Sequence, residues 1–362
     1  MSIFKIVKGQ EQAAELLGRS MMKGRLAHAY LFAGPSGVGK LTAALELSAA
    51  WMCSAADIGY CGTCIDCKRV FRFQHPDVRL MIPQLEKTKP EDIASLIQAR
   101  VDDGVSPVRI PGNSTIRIDQ IRSMGRRLSC KSFENKGHIE IIADSDRMGI
   151  EAANALLKTL EEPPDDTVII LTSSVWSALL PTVRSRVHLI RFRRLNENLI
   201  VDILMNRSGM NREMATEIAI ASDGRPGLAL IHGAGSVSSN EDSDPLKILQ
   251  EIVDKTMASP VISIAAEVSR NLQREGSIEF TMEMQSILLD LRRRSMEMKP
   301  LAHTDQYLDG IDIHDDEAES MLRIFQTAEI RLRGNGVPRI VLTAAFLSAW
   351  KVRKATGKDL VF

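Results

Sequence analysis

An apolar run, a glycine-rich turn and a helix-forming run follow one another without a break between residues 29 and 47. Ala29-Tyr30-Leu31-Phe32-Ala33 reads as a buried strand, Gly34-Pro35-Ser36-Gly37-Val38-Gly39-Lys40 as the turn, and Thr42-Ala43-Ala44-Leu45-Glu46-Leu47 as the start of a helix. That context turns a glycine pattern into a phosphate cradle. Loop N–H groups point inward, the helix N-terminus adds partial positive charge, and Lys40 reaches the terminal phosphates. The next position ordinarily gives magnesium a Ser or Thr hydroxyl, but here it is Leu41. Thr42 is no substitute, because one helical step turns a side chain by about 100°.

A second gap lies further along. Gly137-His138-Ile139-Glu140-Ile141-Ile142-Ala143 reads as a strand that ends in Asp144. In phosphate-loop ATPases such a strand ends in an Asp that orders the magnesium, followed by a Glu that polarises water. Ala143 has no carboxylate to offer, and Asp144 is one methylene short of Glu. Further strands are expected at 78–83, 167–172 and 188–192, alternating with helices, the firmest of them running from Glu151 to Leu160 before Pro163-Pro164. The alternation predicts an α/β fold with a parallel five-stranded sheet covered on both faces.

Four of the five cysteines fall within fifteen positions: Cys53, seven residues, then Cys61, Cys64 and Cys67 in two C-x-x-C steps. Four thiolates on a turn-rich segment can close a tetrahedron around zinc, with Gly59 and Gly62 permitting the turns. Such a site is closed and structural; four free thiols are the alternative. The following Lys68-Arg69-Val70-Phe71-Arg72-Phe73 reads as a helix end with a solvated basic face, or alternatively as a nucleic-acid contact through phosphate pairing and stacking. His75 is expected in a turn and Cys130 as a half-buried thiol. Residues 84–114 read as a loop region around one short helix.

Lys+Arg and Asp+Glu balance at 46 each, so the molecule as a whole is no general polyanion binder. No run of about 18 apolar residues and no leader-like start is present, which reads as a soluble, cytoplasmic protein without a membrane role. The expected domains are 1–194, with the zinc module at about 51–74, a helical lid at 195–235, and a helical domain at 246–362. The Gly-, Ser- and Asp-rich stretch at 233–245 reads as a linker.

Ala27-His28-Ala29-Tyr30-Leu31-Phe32, the cysteine module, Asn154-Ala155-Leu156-Leu157-Lys158-Thr159-Leu160-Glu161-Glu162-Pro163-Pro164 and Leu179-Leu180-Pro181-Thr182-Val183-Arg184-Ser185-Arg186 together resemble bacterial clamp-loader subunits of the AAA+ family. The specific motifs cover roughly residues 6–230. The resemblance implies an AAA+ P-loop domain with an inserted zinc module, a small lid, and an all-helical C-terminal collar. It implies that Arg186 acts as an arginine finger on a neighbouring subunit's ATP, with Val187 replacing the usual cysteine. The nucleotide pocket would comprise residues 34–40 with Leu41 and Thr42, and Cys53, Cys61, Cys64 and Cys67 would hold zinc. Arg225 falls near the place where a lid arginine senses nucleotide.

Implied partners are gamma/tau and delta subunits in a hetero-pentameric ring, with the sliding clamp and primed DNA reached through the assembly. The missing magnesium ligands separate the chain from motor subunits. The expectation is an accessory subunit without ATP hydrolysis of its own; binding of ATP or ADP is left open by the surviving cradle and Lys40. An ATP-hydrolysing motor of the same superfamily and a zinc-dependent nucleic-acid module are the competing readings.

Overall fold

A computed structural model of the chain describes residues 3–56, 59–110, 114–233, 245–254, 257–271, 274–296, 298, 308, 311–333 and 336–356. It divides into two compact units, one reaching to Leu230 and one starting at Ile231.

In the first unit, α1 (Glu11–Met22) leads into β1 (Ala29–Ala33) and α2 (Lys40–Met52). The cysteine module carries α3 (Ile65–Phe71), and β2 (Val78–Met81), α4 (Pro90–Asp103) and α5 (Ile118–Leu128) follow. Then come β3 (His138–Ile142), α6 (Ile150–Glu161), β4 (Thr167–Ser173), the short α7 (Pro181–Arg184) and β5 (His188–Arg191). The unit continues through α8 (Glu197–Ser208), α9 (Arg212–Ala221) and the first turn of α10 (Pro226–Gly233).

The five strands form one parallel sheet in the order β2-β3-β4-β1-β5. β1 and β4 are buried at every position, while the edge strands β2 and β5 alternate with exposed residues. Continuous apolar runs are what a parallel strand covered on both faces requires. Tyr30, Phe32, Ile141 and Ile170 pack on one face against α1, α2 and the cysteine module. Ala29, Leu31, Ile169 and Leu171 pack on the other against α5 and α6. The loop after β1 therefore opens at the carboxyl ends of the strands, where open α/β sheets bind ligands.

Two expectations need correction. α4 is a full fourteen-residue helix, begun by Pro90 at its first position, where a missing N–H costs nothing, and by the Asp92 carboxylate accepting from Lys89 N. None of its residues is fully buried, but Ile93, Leu96 and Ile97, at helical spacing, pack against Ile82, Val108, Ile110 and Ala143. Cys130 is exposed rather than half-buried.

The regular elements among the second unit's described residues are all helices: α11 (Pro245–Asp254), α12 (Ala258–Asn271), α13 (Arg274–Ser295), α14 (Asp315–Arg333) and α15 (Pro338–Thr356). Its core centres on Phe346, with ring centroids 5.8 Å from Phe280 and 6.1 Å from Phe325. Most of the expected linker, residues 234–244, lies outside the described residues. Among the described residues no helix is long and apolar enough to cross a membrane.

Candidate functional site

The glycine loop is built as its sequence requires. Gly37 and Gly39 have φ of +80° and +94°, and a Cβ on Gly34 would lie 2.2 Å from the Phe192 carbonyl oxygen. Only glycine meets both demands. Gly34 N donates to Ser173 O at 3.2 Å and Phe192 N to Ala33 O at 2.8 Å, so the tips of β4 and β5 clamp the loop.

Lys40 is 7% exposed and turns back into the loop, its Nζ donating to the carbonyls of Gly34 and Pro35 at 2.7 Å each. Burial pushes its pKa down to about 8 from the ordinary 10.5, against the opposing pull of the Asp144 and Asp146 carboxylates. The start of α10 lies directly on the loop. Gly227 N donates to Gly37 O at 2.8 Å, and a Cβ on Gly227 would stand 2.9 Å from that same oxygen. Arg225 is buried beside Gly37, and its Nε donates to Ser222 O at 3.0 Å within its own turn.

The corner that would hold magnesium is apolar. Ala143 clusters with Ile82, Val108 and Ile110, and Leu41 packs against them. Next to this cluster, Arg109 Nε lies 3.1 Å from Asp144 Oδ2. Thr42 Oγ1 instead accepts from Arg100 on α4 at 2.6 Å, in keeping with its rotation away from the loop. Arg109, Val108 and Arg100 belong to the stretch read from sequence as a loop region. A signal for their role was the clustering of Val108 and Ile110 within that otherwise polar segment.

The four cysteines come together. Their Sγ atoms all lie within 4.8 Å of one another, and Cys53–Cys64 and Cys61–Cys67 approach to 3.9 Å. A tetrahedral zinc site with bonds of about 2.3 Å puts sulfurs about 3.8 Å apart, so the donor set fits zinc. Cys61 N donates to Cys53 Sγ, Cys64 N to Cys61 Sγ and Cys67 N to Cys64 Sγ, at 3.2–3.4 Å. The Thr63 hydroxyl, then the N–H groups of Cys64 and Thr63, hold the Cys61 thiol well below the usual range, whereas burial pushes Cys67 up. A divalent cation among them would favour the thiolate at every position.

His75 is buried outside this cluster, its Nδ1 accepting from Asp77 N at 3.1 Å. Phe71 packs on Tyr60 of the module at 5.3 Å between centroids, while Lys68 and Arg72 face solvent. That arrangement is the solvated-helix-end reading of residues 68–73.

Sequence reasoning missed Glu46. Fully buried on α2, it accepts from the amides of Lys5, Ile6 and Val7 at 2.5, 2.7 and 2.9 Å and from Tyr60 Oη at 2.7 Å. It therefore ties residues 5–7, the helix of the phosphate loop and the cysteine module to one carboxylate. A lone acid inside the apolar run of residues 43–50 was its signal.

Arg186 stands away from this pocket, at the turn into β5. Its Nη1 donates to Thr182 O at 3.0 Å and Ser185 Oγ at 3.1 Å, and its Nη2 lies 2.8 Å from Glu161 Oε1.

A parallel sheet with a glycine loop after its central strand, a cysteine module inserted behind that loop and the start of α10 upon it defines an α/β P-loop unit. A family model described as "DNA polymerase III, delta subunit" matches residues 9–196, more than half of the chain. The chain belongs to that family, and proteins named DNA polymerase III subunit delta-prime are among its relatives. It is 34% identical over 198 residues to DNA polymerase III subunit delta-prime of Bacillus subtilis, covering 55% of this chain and 52% of that protein. To subunit delta-prime of Pseudomonas aeruginosa it is 34% identical over 161 residues, 44% and 41% of the two chains. To subunit tau of Bacillus subtilis the figures are 28% over 246 residues, 66% and 38%. The chain thus spans about half the length, or less, of the curated relatives it matches. A crystal structure of a DNA polymerase III gamma-subunit-related protein from Thermotoga maritima aligns over 94% of this chain and 99% of its own, at 19% identity and a TM-score of 0.40.

Proposed function

We propose that the chain is an accessory subunit of a replicative clamp loader, one that does not hydrolyse ATP but completes the active site of a neighbouring ATPase with Arg186. The observation that carries this reading is the apolar packing of Leu41 with Ala143, Ile82, Val108 and Ile110 in the corner where magnesium would sit. With no hydroxyl at position 41 and no carboxylate at position 143, and with Asp144 beside them paired to Arg109, the chain lacks both of the usual protein ligands for the metal. Arg186 by contrast keeps a partly exposed guanidinium at a turn between two anchored elements. An arginine supplied in trans stabilises charge on the transferring phosphoryl group, an effect of about 10³–10⁵ in rate for such fingers generally.

In this reading residues 195–235 form the lid and residues 246–362 the collar that holds the chain in a hetero-pentameric ring with gamma/tau and delta subunits in the cytoplasm. The ring acts on the sliding clamp and primed DNA. Zinc at Cys53, Cys61, Cys64 and Cys67 is structural, stabilising the module on which Tyr60 and α3 sit. The backbone cradle and Lys40 could retain a phosphate without hydrolysing it.

The test is reconstitution with motor and delta subunits, clamp and primed DNA. Arg186→Ala is expected to lower the ATPase of the assembly by at least tenfold without dissolving it, and the purified chain alone is expected to turn over no ATP. Full ATPase in the mutant assembly would remove the finger assignment. Turnover by the chain alone, abolished by Lys40→Ala, would favour the motor reading instead.

A further inference from the structure

The turn before β5 presents two arginines, and the fold treats them differently. Arg184 lays its guanidinium 5.1 Å from the ring centroid of Trp176 and is committed to local packing. Arg186 reaches across to Glu161, the last residue of α6, at 2.8 Å.

We propose that Glu161 is a latch for Arg186. It holds the guanidinium against the chain's own surface until the phosphate oxygens of a nucleotide in the neighbouring subunit displace it. The inference rests on the reading of Arg186 as a finger given above, and it makes Glu161 a positioning residue rather than a catalytic one.

The end of α6 is an unfavourable place for a carboxylate, with Lys158 one turn back as its only basic neighbour on the helix. The last turn of a helix carries unpaired carbonyls and partial negative charge, so an anion there is locally unfavourable. Pro163-Pro164 follow at once and stop the helix, which fixes where Glu161 stands. Its counter-charge comes from Arg186.

Both ends of the contact stand on buried anchors while their side chains are partly exposed. Leu156 and Leu160 of α6 are 0% and 2% exposed, and Val183, whose carbonyl accepts from Arg186 N at 3.1 Å, is 0% exposed. The Arg186 and Glu161 side chains are 36% and 50% exposed. A buried base with partly exposed side chains is what a side-chain switch needs, since only χ angles have to change.

The bond is also of a kind that a phosphate can break. Glu161 engages one Nη through one oxygen, whereas guanidinium and phosphate can form two parallel charge-assisted bonds. Solvent weakens an exposed carboxylate–arginine pair, and a phosphate group brings more negative charge than a single carboxylate. Glu161 further repels an approaching phosphate for as long as it stays beside the arginine.

This fixes a sign that a purely structural glutamate would not produce. Removing the carboxylate leaves Arg186 held only by the Thr182 carbonyl and the Ser185 hydroxyl and lifts the repulsion, so the neighbour's ATPase should rise. The rise in the unstimulated assembly should be about 1.5- to 5-fold, the range into which the strength of exposed ion pairs converts. In the stimulated assembly, where the latch is already displaced, the gain should be smaller.

The experiment measures ATP hydrolysis by the reconstituted assembly, alone and with clamp and primed DNA, for the unaltered chain, Glu161→Gln, Arg186→Ala and the double variant. The expected result is a raised unstimulated rate in Glu161→Gln, a smaller ratio of stimulated to unstimulated rate, and a double variant equal to Arg186→Ala. If Arg186→Ala lowers the rate while Glu161→Gln leaves it unchanged or lowers it, the latch is wrong and the finger stands. A rise in Glu161→Gln that persists in the double variant also overturns the latch, because the gain would not run through Arg186. If Arg186→Ala has no effect, the finger and the latch fall together.

Discussion

Arg109 Nε lies 3.1 Å from Asp144 Oδ2, setting a side-chain cation beside the carboxylate that ends β3. Where a working ATPase keeps a hydrated magnesium ion near that strand end, this chain has a guanidinium of its own and a patch of packed methyl groups. Restoring one ligand should therefore not restore the chemistry. Leu41→Thr is expected to give no magnesium-dependent ATP turnover and to lose about 1–3 kcal/mol of stability in denaturant titrations, as methyl contacts with Ala143, Ile82 and Val108 are lost. Turnover in that single variant would show that the corner is more open than its packing implies.

The cysteine module should bind one zinc per chain, measurable by elemental analysis of purified protein. Cys67→Ser is expected to release the metal and lower the melting temperature strongly, since Cys67 is 0% exposed within the first unit's core. Cys130→Ser, at an exposed thiol outside the cluster, should change neither zinc content nor melting temperature.

Glu46→Ala strands the amides of Lys5, Ile6 and Val7 and the Tyr60 hydroxyl without their common acceptor. The expected cost is about 2–5 kcal/mol, the range for breaking a buried, charge-assisted set. Amide hydrogen exchange should accelerate first at residues 5–7. Unchanged protection there would mean that the strap is held by something other than this carboxylate.

Lys40 gives a pH prediction with a definite sign. Its folded pKa, near 8, lies below the unfolded 10.5, so folding penalises its charged form below about pH 8. As pH rises from 8 to 10.5 the unfolded chain holds more protons than the folded one, and this penalty is relieved. Compared with Lys40→Met, the unaltered chain should therefore gain roughly 2–4 kcal/mol of relative stability across that window. Parallel stability curves for the two proteins would contradict a buried, depressed lysine.

The sheet was legible because its strands are apolar runs bounded by turn residues, and each expected strand appears within one or two residues of its place. The phosphate loop and the four cysteines were legible because chemistry demands fixed spacing from them. Leu41 and Ala143 announced a gap, but not what fills it. Val108, Arg109 and Ile110 fill it from a segment with prolines and little periodicity, and such a meeting is decided by tertiary packing rather than local pattern. Glu46 and Glu161 were hidden for opposite reasons. The first is a lone acid in an apolar helical run whose partners come from distant segments; the second is exposed and gains its meaning only from an arginine brought near by the fold.

The central place of β1 has a consequence for how the chain is made. Ala29 pairs with Ile169 and Tyr30 with His188, so the first strand to leave the ribosome is flanked by the last two. Until residues 167–191 have emerged, Ala29-Tyr30-Leu31-Phe32-Ala33 has neither neighbour, and the loop lacks the Ser173 carbonyl and Phe192 amide that clamp it. Pairings so distant in sequence form slowly, and an unpaired apolar strand is a hazard while they wait. The glycine loop and the Arg186 turn therefore become native together, so a nascent chain too short to carry Arg186 is also too short to have shaped the cradle.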